Sequence, residues 1–234
     1  MFENRKQAGR LLARSVVDVL GKEPDYEPAR AVVIGLPRGG VPVALEVALA
    51  LGCQLDVLVS KKIGAPGNSE LAVGAVSSDG IVVTDEEINR LISVPPAYLE
   101  AETGRLADQT RCLEQHWLTA AAITNRPSLA GKWTIVVDDG VATGMTTLAA
   151  LRTLQLRGVG PLVLATPVMA FDTFRRLRDE CDRIVALLTP YDFNAVGQYY
   201  RDFHQVGDEE VIAALRQGAE RAQSRKPVTG GHLQ

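Results

Sequence analysis

Apolar positions recur at helical spacing through residues 2–20. Ala8, Leu11, Leu12, Val16, Val19 and Leu20 share one face, with Gly21 as a stop, so the spacing predicts an amphipathic first helix. Pro24 and Pro28 mark an extended connector. The run Ala31 to Leu36 (AVVIGL) is short and β-branched, the pattern of a strand buried on both faces. Val43 to Leu51 is Ala- and Leu-rich and closed by Gly52, which predicts a helix, and Leu55 to Val59 predicts the next strand. Leu71 to Val76 and Ile81 to Thr84 read as a hairpin turned at Ser78-Asp79-Gly80. Thr84, with Glu87 three residues on, reads as a capping box opening a short helix. After Pro95-Pro96 a polar helix is expected from Ala97 to about Trp117, and Leu118 to Gly131 carries no clear period.

The second half alternates more regularly. Trp133 to Val137, Leu162 to Pro167 and Ile184 to Leu188 read as strands; Thr146 to Arg157, Phe171 to Cys181 and Glu209 to Gln223 read as helices. Short apolar runs alternating with helices argue for an α/β fold with a doubly wound parallel sheet. The hairpin and the stretch before the last helix break the pattern. They are expected to build a small appended hood, from residues 65–84 and 190–205, on one domain spanning 1–223. Residues 224–234 (SRKPVTGGHLQ) are expected to be a flexible tail.

Composition narrows the class. The chain has 234 residues, 46% hydrophobic and 23% charged, close to globular averages. Lys plus Arg total 25 against 28 for Asp plus Glu, a formal charge of −3, which argues against a dedicated nucleic-acid binder. Cys53, Cys112 and Cys181 are scattered and never in CxxC spacing, so neither a disulfide framework nor a zinc site is expected. The N-terminus MFENRKQAGRLLARS lacks the apolar core of a signal peptide, and no 18-residue apolar run occurs, so the expectation is a cytoplasmic protein without a membrane span.

One stretch carries chemistry. In WTIVVDDGVATGMTT (133–147) a buried strand ends in Asp138 and Asp139, a Gly- and Thr-bearing turn follows, and a helix begins. Ligands of open α/β sheets sit at the carboxyl ends of strands. The N–H groups of a turn and a helix N-terminus favour a phosphate, and the hydroxyls of Thr143, Thr146 and Thr147 add donors. Two carboxylates would repel that phosphate, so they must face vicinal hydroxyls or a cation. A sugar phosphate meets both demands. No Gly-Lys-Ser/Thr run and no G-x-G-x-x-G fingerprint occurs.

Residues 134–147 resemble the phosphoribosyl pyrophosphate (PRPP) signature of type I phosphoribosyltransferases. The resemblance implies that Asp138 and Asp139 hold the ribose hydroxyls and do the catalytic work. It implies that Gly140, Val141, Ala142, Thr143, Gly144, Met145, Thr146 and Thr147 cradle the 5′-phosphate. The segment Gly35-Leu-Pro37-Arg38-Gly39-Gly40 is similar to the family's pyrophosphate loop, which implies a cis Pro37–Arg38 bond with Arg38 and the Gly39 and Gly40 amides as ligands. Lys61 and Lys62, at the expected end of the second strand, are either pyrophosphate ligands or a solvated pair. The segments APGNSELAVGAV (65–76) and FNAVGQYYRDF (193–203) resemble a bacterial subgroup of the family, and the likeness spans most of residues 5–215. One departure stands out: the basic segment expected before the signature strand is replaced by residues 113–127, where Arg111 and Arg126 are the nearest basic candidates.

The resemblance further implies Mg²⁺ carried on PRPP, with Asp138 and Asp139 as candidate contacts, a nucleobase-like acceptor, and a homodimer as a common assembly. Phe193 and Tyr199, within a cluster that includes Tyr200 and Phe203, are acceptor candidates; these rings can equally fill the core under the hood. The histidines show no metal-ligand spacing, with His116 and His204 expected on surfaces, and Asp208-Glu209-Glu210 reads as a helix N-terminus. The expected activity is transfer of a phosphoribosyl group from PRPP to a nitrogen acceptor. A non-catalytic PRPP-sensing regulator of the same fold is the alternative.

Overall fold

A computed structural model describes residues 1–224; the remainder of the expected tail lies outside the described residues. Five strands form a parallel sheet in the order β2-β1-β6-β7-β8: β1 (Ala31–Gly35), β2 (Gln54–Val57), β6 (Trp133–Val137), β7 (Leu162–Val168) and β8 (Arg183–Leu188). Strand side chains alternate between two cores. Ala31, Val33, Ile135, Val137, Val163 and Ala165 face one, with α1 (Arg5–Leu20), α2 (Gly40–Leu51) and α7 (Asp208–Ser224). Val32, Ile34, Val136, Leu162 and Leu164 face the other, with α5 (Met145–Leu156) and α6 (Phe171–Leu177). Because helices cover both faces, strands such as β1 and β6 are buried along their whole length.

The appendage is a three-stranded antiparallel sheet in the order β3-β4-β5: β3 (Ser60–Ala65), β4 (Asn68–Ser77) and β5 (Val82–Thr84). This corrects the expected two-stranded hairpin. Ser60-Lys61-Lys62 does not end the second strand but opens a new one, in which every second residue, Ile63 then Ala65, is buried against Val73, Val76, Leu106 and Ala107. The short helix α3 (Glu86–Leu91) is capped by Asp85, whose side chain accepts from Ile88 N at 3.0 Å, and not by Thr84, which is spent in the β5 ladder opposite Gly74. α2 begins at Gly40, three residues earlier than the apolar run suggests, because Pro42 is tolerated in a first turn. α6 stops at Leu177, short of the expected Cys181.

The long helix α4 (Pro96–Ala120) spans the two sheets, giving Leu106 and Ala107 to the small core and Trp117 and Leu118 to the main one. At its end lies a buried ionic network. Arg126 donates to Asp56 (2.9 Å), to Glu114 (2.5 Å) and to the Val57 carbonyl (2.7 Å). Glu114 also accepts from Val59 N and from the Ser78 hydroxyl. The departing segment is therefore an ionic brace between α4, β2 and the turn that follows β4. No helix among the described residues is long and apolar enough to cross a membrane.

Candidate active site

From β1 the chain turns to β2 on one side while β6 pairs on the other, so the strand order switches between β1 and β6. Gly35 and Val137 are opposite one another, and the loops that leave them run side by side. The Pro37–Arg38 peptide is cis. A Cβ at Gly39 would overlap the Asp139 carboxylate, and one at Gly40 would lie 2.7 Å from the Val137 carbonyl and 2.8 Å from Asp138 Cα. The paired glycines therefore let the two loops touch.

Asp138 and Asp139 follow β6. Asp138 Oδ1 accepts from the Asp139 amide at 2.9 Å. Asp139 Oδ2 lies 2.6 Å from Arg5 Nε, and Arg5 Nη1 donates to the His204 carbonyl at 2.7 Å. The Arg5 guanidinium carbon stands 3.9 Å from the centre of the Phe203 ring. The Tyr200 hydroxyl donates to the Asp139 carbonyl at 2.5 Å. Burial, then the neighbouring Asp139 charge, pushes Asp138 well above the ordinary carboxylate range. Burial raises Asp139 too, against the opposing pull of Arg5. The Tyr200 phenol is pushed up by burial and then by Asp139.

Arg5 escaped the sequence reading. A signal was present: it precedes Ala8 and Leu12 on the buried stripe of α1, where a charge has no business unless it meets a partner. His204, expected on a surface, is exposed at the rim of the site, between Asp202 (3.1 Å) and Glu210 (3.2 Å).

A cavity of about 580 Å³ opens here, lined among others by Arg5, Arg38, Lys61, Trp117, Asp139 and Phe203. Arg38 Nε lies 2.9 Å from Asp208 Oδ1 at the start of α7, with its guanidinium 6.0 Å from the Trp117 ring. Lys61 reaches the cavity and bonds Gln109, while Lys62, one residue on, does not line it, as alternation along β3 requires. Phe193 and Tyr199 stack on one another at 5.5 Å, and neither lines the cavity; Phe203 and Trp117 bring the rings that do. Arg111 pairs with Asp108 at the surface, and Arg126 is taken by the ionic network.

Beyond Asp139, Val141 N bonds the Val168 carbonyl (2.9 Å), Thr173 holds the Ala142 carbonyl, and Arg176 bonds the Thr143 carbonyl, leaving Ala142 and Thr143 turned to solvent. Gly144, at φ +71°, starts α5 without a side-chain cap. The first-turn N–H groups of Met145, Thr146 and Thr147 have no carbonyl one turn back, the condition for holding an anion. Thr147 is buried and Thr146 partly so. Among the described residues no group of three His, Cys, Asp or Glu is placed to hold a metal. Two adjacent carboxylates fit Mg²⁺ only as it usually binds, through one or two protein oxygens plus substrate phosphates.

Comparisons with known proteins bear on the family and the fold. The family described as phosphoribosyl transferase domain matches residues 2–203. Proteins from two Mycobacterium tuberculosis strains, provisionally named phosphoribosyl transferases, are 40% identical over 216 residues, 92% of this chain and 46% of theirs. The chain thus spans about half the length of the curated relatives it matches. The crystal structure of TT1426 from Thermus thermophilus is 40% identical, covers 93% of this chain and 98% of its own, and superposes with a TM-score of 0.76. The AQ2163 protein from Aquifex aeolicus shares the fold at 15% identity, covering 90% of this chain and 85% of its own, with a TM-score of 0.50. By motif, by architecture and by these relatives, the chain belongs to the phosphoribosyl transferase domain family.

Proposed function

We propose that this chain transfers the 5-phosphoribosyl group of PRPP to a nucleobase or related nitrogen acceptor, releasing pyrophosphate. The observation that carries the reading is the pairing of two loops on adjacent strands. One presents the Asp138-Asp139 pair followed by the uncapped start of α5; the other presents a cis Pro37–Arg38 bond and two glycines pressed against that pair. The 5′-phosphate would rest on residues 140–147, the ribose hydroxyls on the two carboxylates, and the pyrophosphate on Arg38, Lys61 and the Gly39 and Gly40 amides. Residues 65–84 and 190–205 would act as the hood of a single domain spanning 1–223.

The C1–pyrophosphate bond breaks through an oxocarbenium-like centre, the acceptor nitrogen forms the new bond to C1, and a carboxylate of the pair takes the proton that nitrogen loses. Arg38 and Lys61 offset charge on the departing pyrophosphate. Mg²⁺ bound with PRPP would supply further charge neutralisation, with Asp138 and the oxygen of Asp139 not taken by Arg5 as its candidate contacts. A cytoplasmic setting and a homodimer belong to the same proposal.

The second reading, a PRPP-sensing regulator, is favoured by one observation. In place of the expected basic segment, α4 turns Leu113 and Trp117 toward the cavity. Calorimetric titration of PRPP with Mg²⁺ tests both. Wild type is expected to bind and the Asp138→Asn/Asp139→Asn variant to lose binding. Pyrophosphate release on screening nucleobases then separates enzyme from sensor. Absence of wild-type binding overturns both readings.

A further inference from the structure

We propose that Arg5 is a positioning residue of this site: it holds the Asp139 carboxylate in the orientation in which it meets the ribose hydroxyls. The proposal rests on the PRPP reading and deepens it. Arg5 lies 134 residues before Asp139 and is 8% exposed, so its charge and its donors must be met inside the protein. Two are met by oxygens, Asp139 Oδ2 at 2.6 Å and the His204 carbonyl at 2.7 Å, and its flat face rests on Phe203. A planar fork can make two divergent hydrogen bonds and stack at once; an ammonium cannot.

Two further contacts hold Asp139 in place. Gly39 lies against the carboxylate, leaving no room for even a methyl group. The Tyr200 hydroxyl holds the backbone carbonyl of the same aspartate. Phe203 is backed by Tyr200 at 5.0 Å, and Tyr200 by Phe2 at 5.3 Å, so the stack under Arg5 is itself anchored. With Oδ2 engaged by Arg5, the orientation of the carboxylate is set before a ligand arrives. Arg38 and Lys61 line the same cavity but have partners of their own: Arg38 pairs with Asp208 and Lys61 with Gln109. Because Arg5 bonds Asp139 and neither Arg38 nor Lys61 does, its influence is expected on the sugar end of PRPP.

That asymmetry separates positioning from bulk stabilisation. The test is calorimetric titration, with Mg²⁺ present, of PRPP, ribose 5-phosphate and inorganic pyrophosphate. The proteins are wild type, Arg5→Gln, Arg5→Lys, Tyr200→Phe, Asp139→Asn and the Arg5→Gln/Asp139→Asn double variant, each checked by thermal melting. Arg5→Gln is expected to weaken PRPP and ribose 5-phosphate by about 10- to 100-fold, as loss of a group supporting a ligating side chain does, while pyrophosphate affinity stays within about twofold. Arg5→Lys is expected to fall with it, and the double variant to bind no worse than Asp139→Asn alone. Tyr200→Phe keeps the ring stack and is expected to show a smaller loss of the same selectivity. Equal losses for all three ligands, full rescue by lysine, or additive effects in the double variant overturn the proposal. If wild type binds no PRPP, the phosphoribosyltransferase reading itself falls, a result distinct from any of these.

Discussion

His204 shows how much a single side chain at the rim of the site depends on contacts made by folding. Its ring nitrogens face Asp202 and Glu210, and the hydrogen bond to Asp202, then that to Glu210, raises its pKa above the ordinary value. A histidine raised in the folded state contributes stability that is fully present below its unfolded pKa of about 6.5 and is lost as pH rises through the folded value. An NMR titration is expected to place His204 above that value, with Asp202→Asn bringing it back down; a wild-type value at or below it would refute the assignment. In sequence this histidine was only one of three without metal spacing. The place of Asp138 and Asp139 was legible because its signal is local: acids at a strand end before a Gly-Thr turn. Arg5 was not, because its meaning comes from a partner 134 residues away.

At the scale of elements, residues 118–131 had no period because the end of α4 and the irregular chain after it bury Leu118, Ala121 and Leu129 one at a time and send Arg126 into an ionic network. The segment carries Arg126 to Asp56 and Glu114, which are 1% and 5% exposed. Ala122 turns the chain at φ +58° to make the approach. Arg126→Met is expected to lower stability by about 3 kcal/mol, the low end of the cost of orphaning buried charges, because 31% of the arginine side chain meets solvent. Urea denaturation measures it, and a loss under about 1 kcal/mol would show the network to be dispensable. The misread boundary at Ser60 has a related cause. An apolar run followed by two lysines looks like a strand end, yet Lys61 and Lys62 alternate on a strand that pairs with β4, and this puts one lysine at the cavity and the other away from it.

For the whole molecule, the two ends of the family-matched region meet at the site. The Phe2 amide bonds the Tyr199 carbonyl (2.7 Å), the Arg201 amide bonds the Phe2 carbonyl (2.8 Å), and the Asp202 amide bonds the Glu3 carbonyl (2.9 Å). Phe2 is 6% exposed beneath Tyr200. Phe2→Ala is expected to cost about 3 kcal/mol. It should also speed amide exchange across residues 199–204 more than across β1 or β6, as hydrogen exchange read by mass spectrometry will show. Uniform acceleration would mean that the N-terminal strap supports the fold alone and not the site.

The sequence by itself determined the alternating α/β order, the parallel sheet, and an acidic pair at a strand end before a Gly- and Thr-bearing turn, because apolar period and turn chemistry act over a few residues. It also pointed to the Pro37–Gly40 loop, whose glycines are required by contact with the next strand's loop. Only the tertiary structure decided which lysine reaches the cavity, which rings line it, where Arg126 goes, and that Arg5 holds Asp139. Each of these is a choice among partners that the chain brings together only when its N-terminal helix, central strands and C-terminal stretch close on one another.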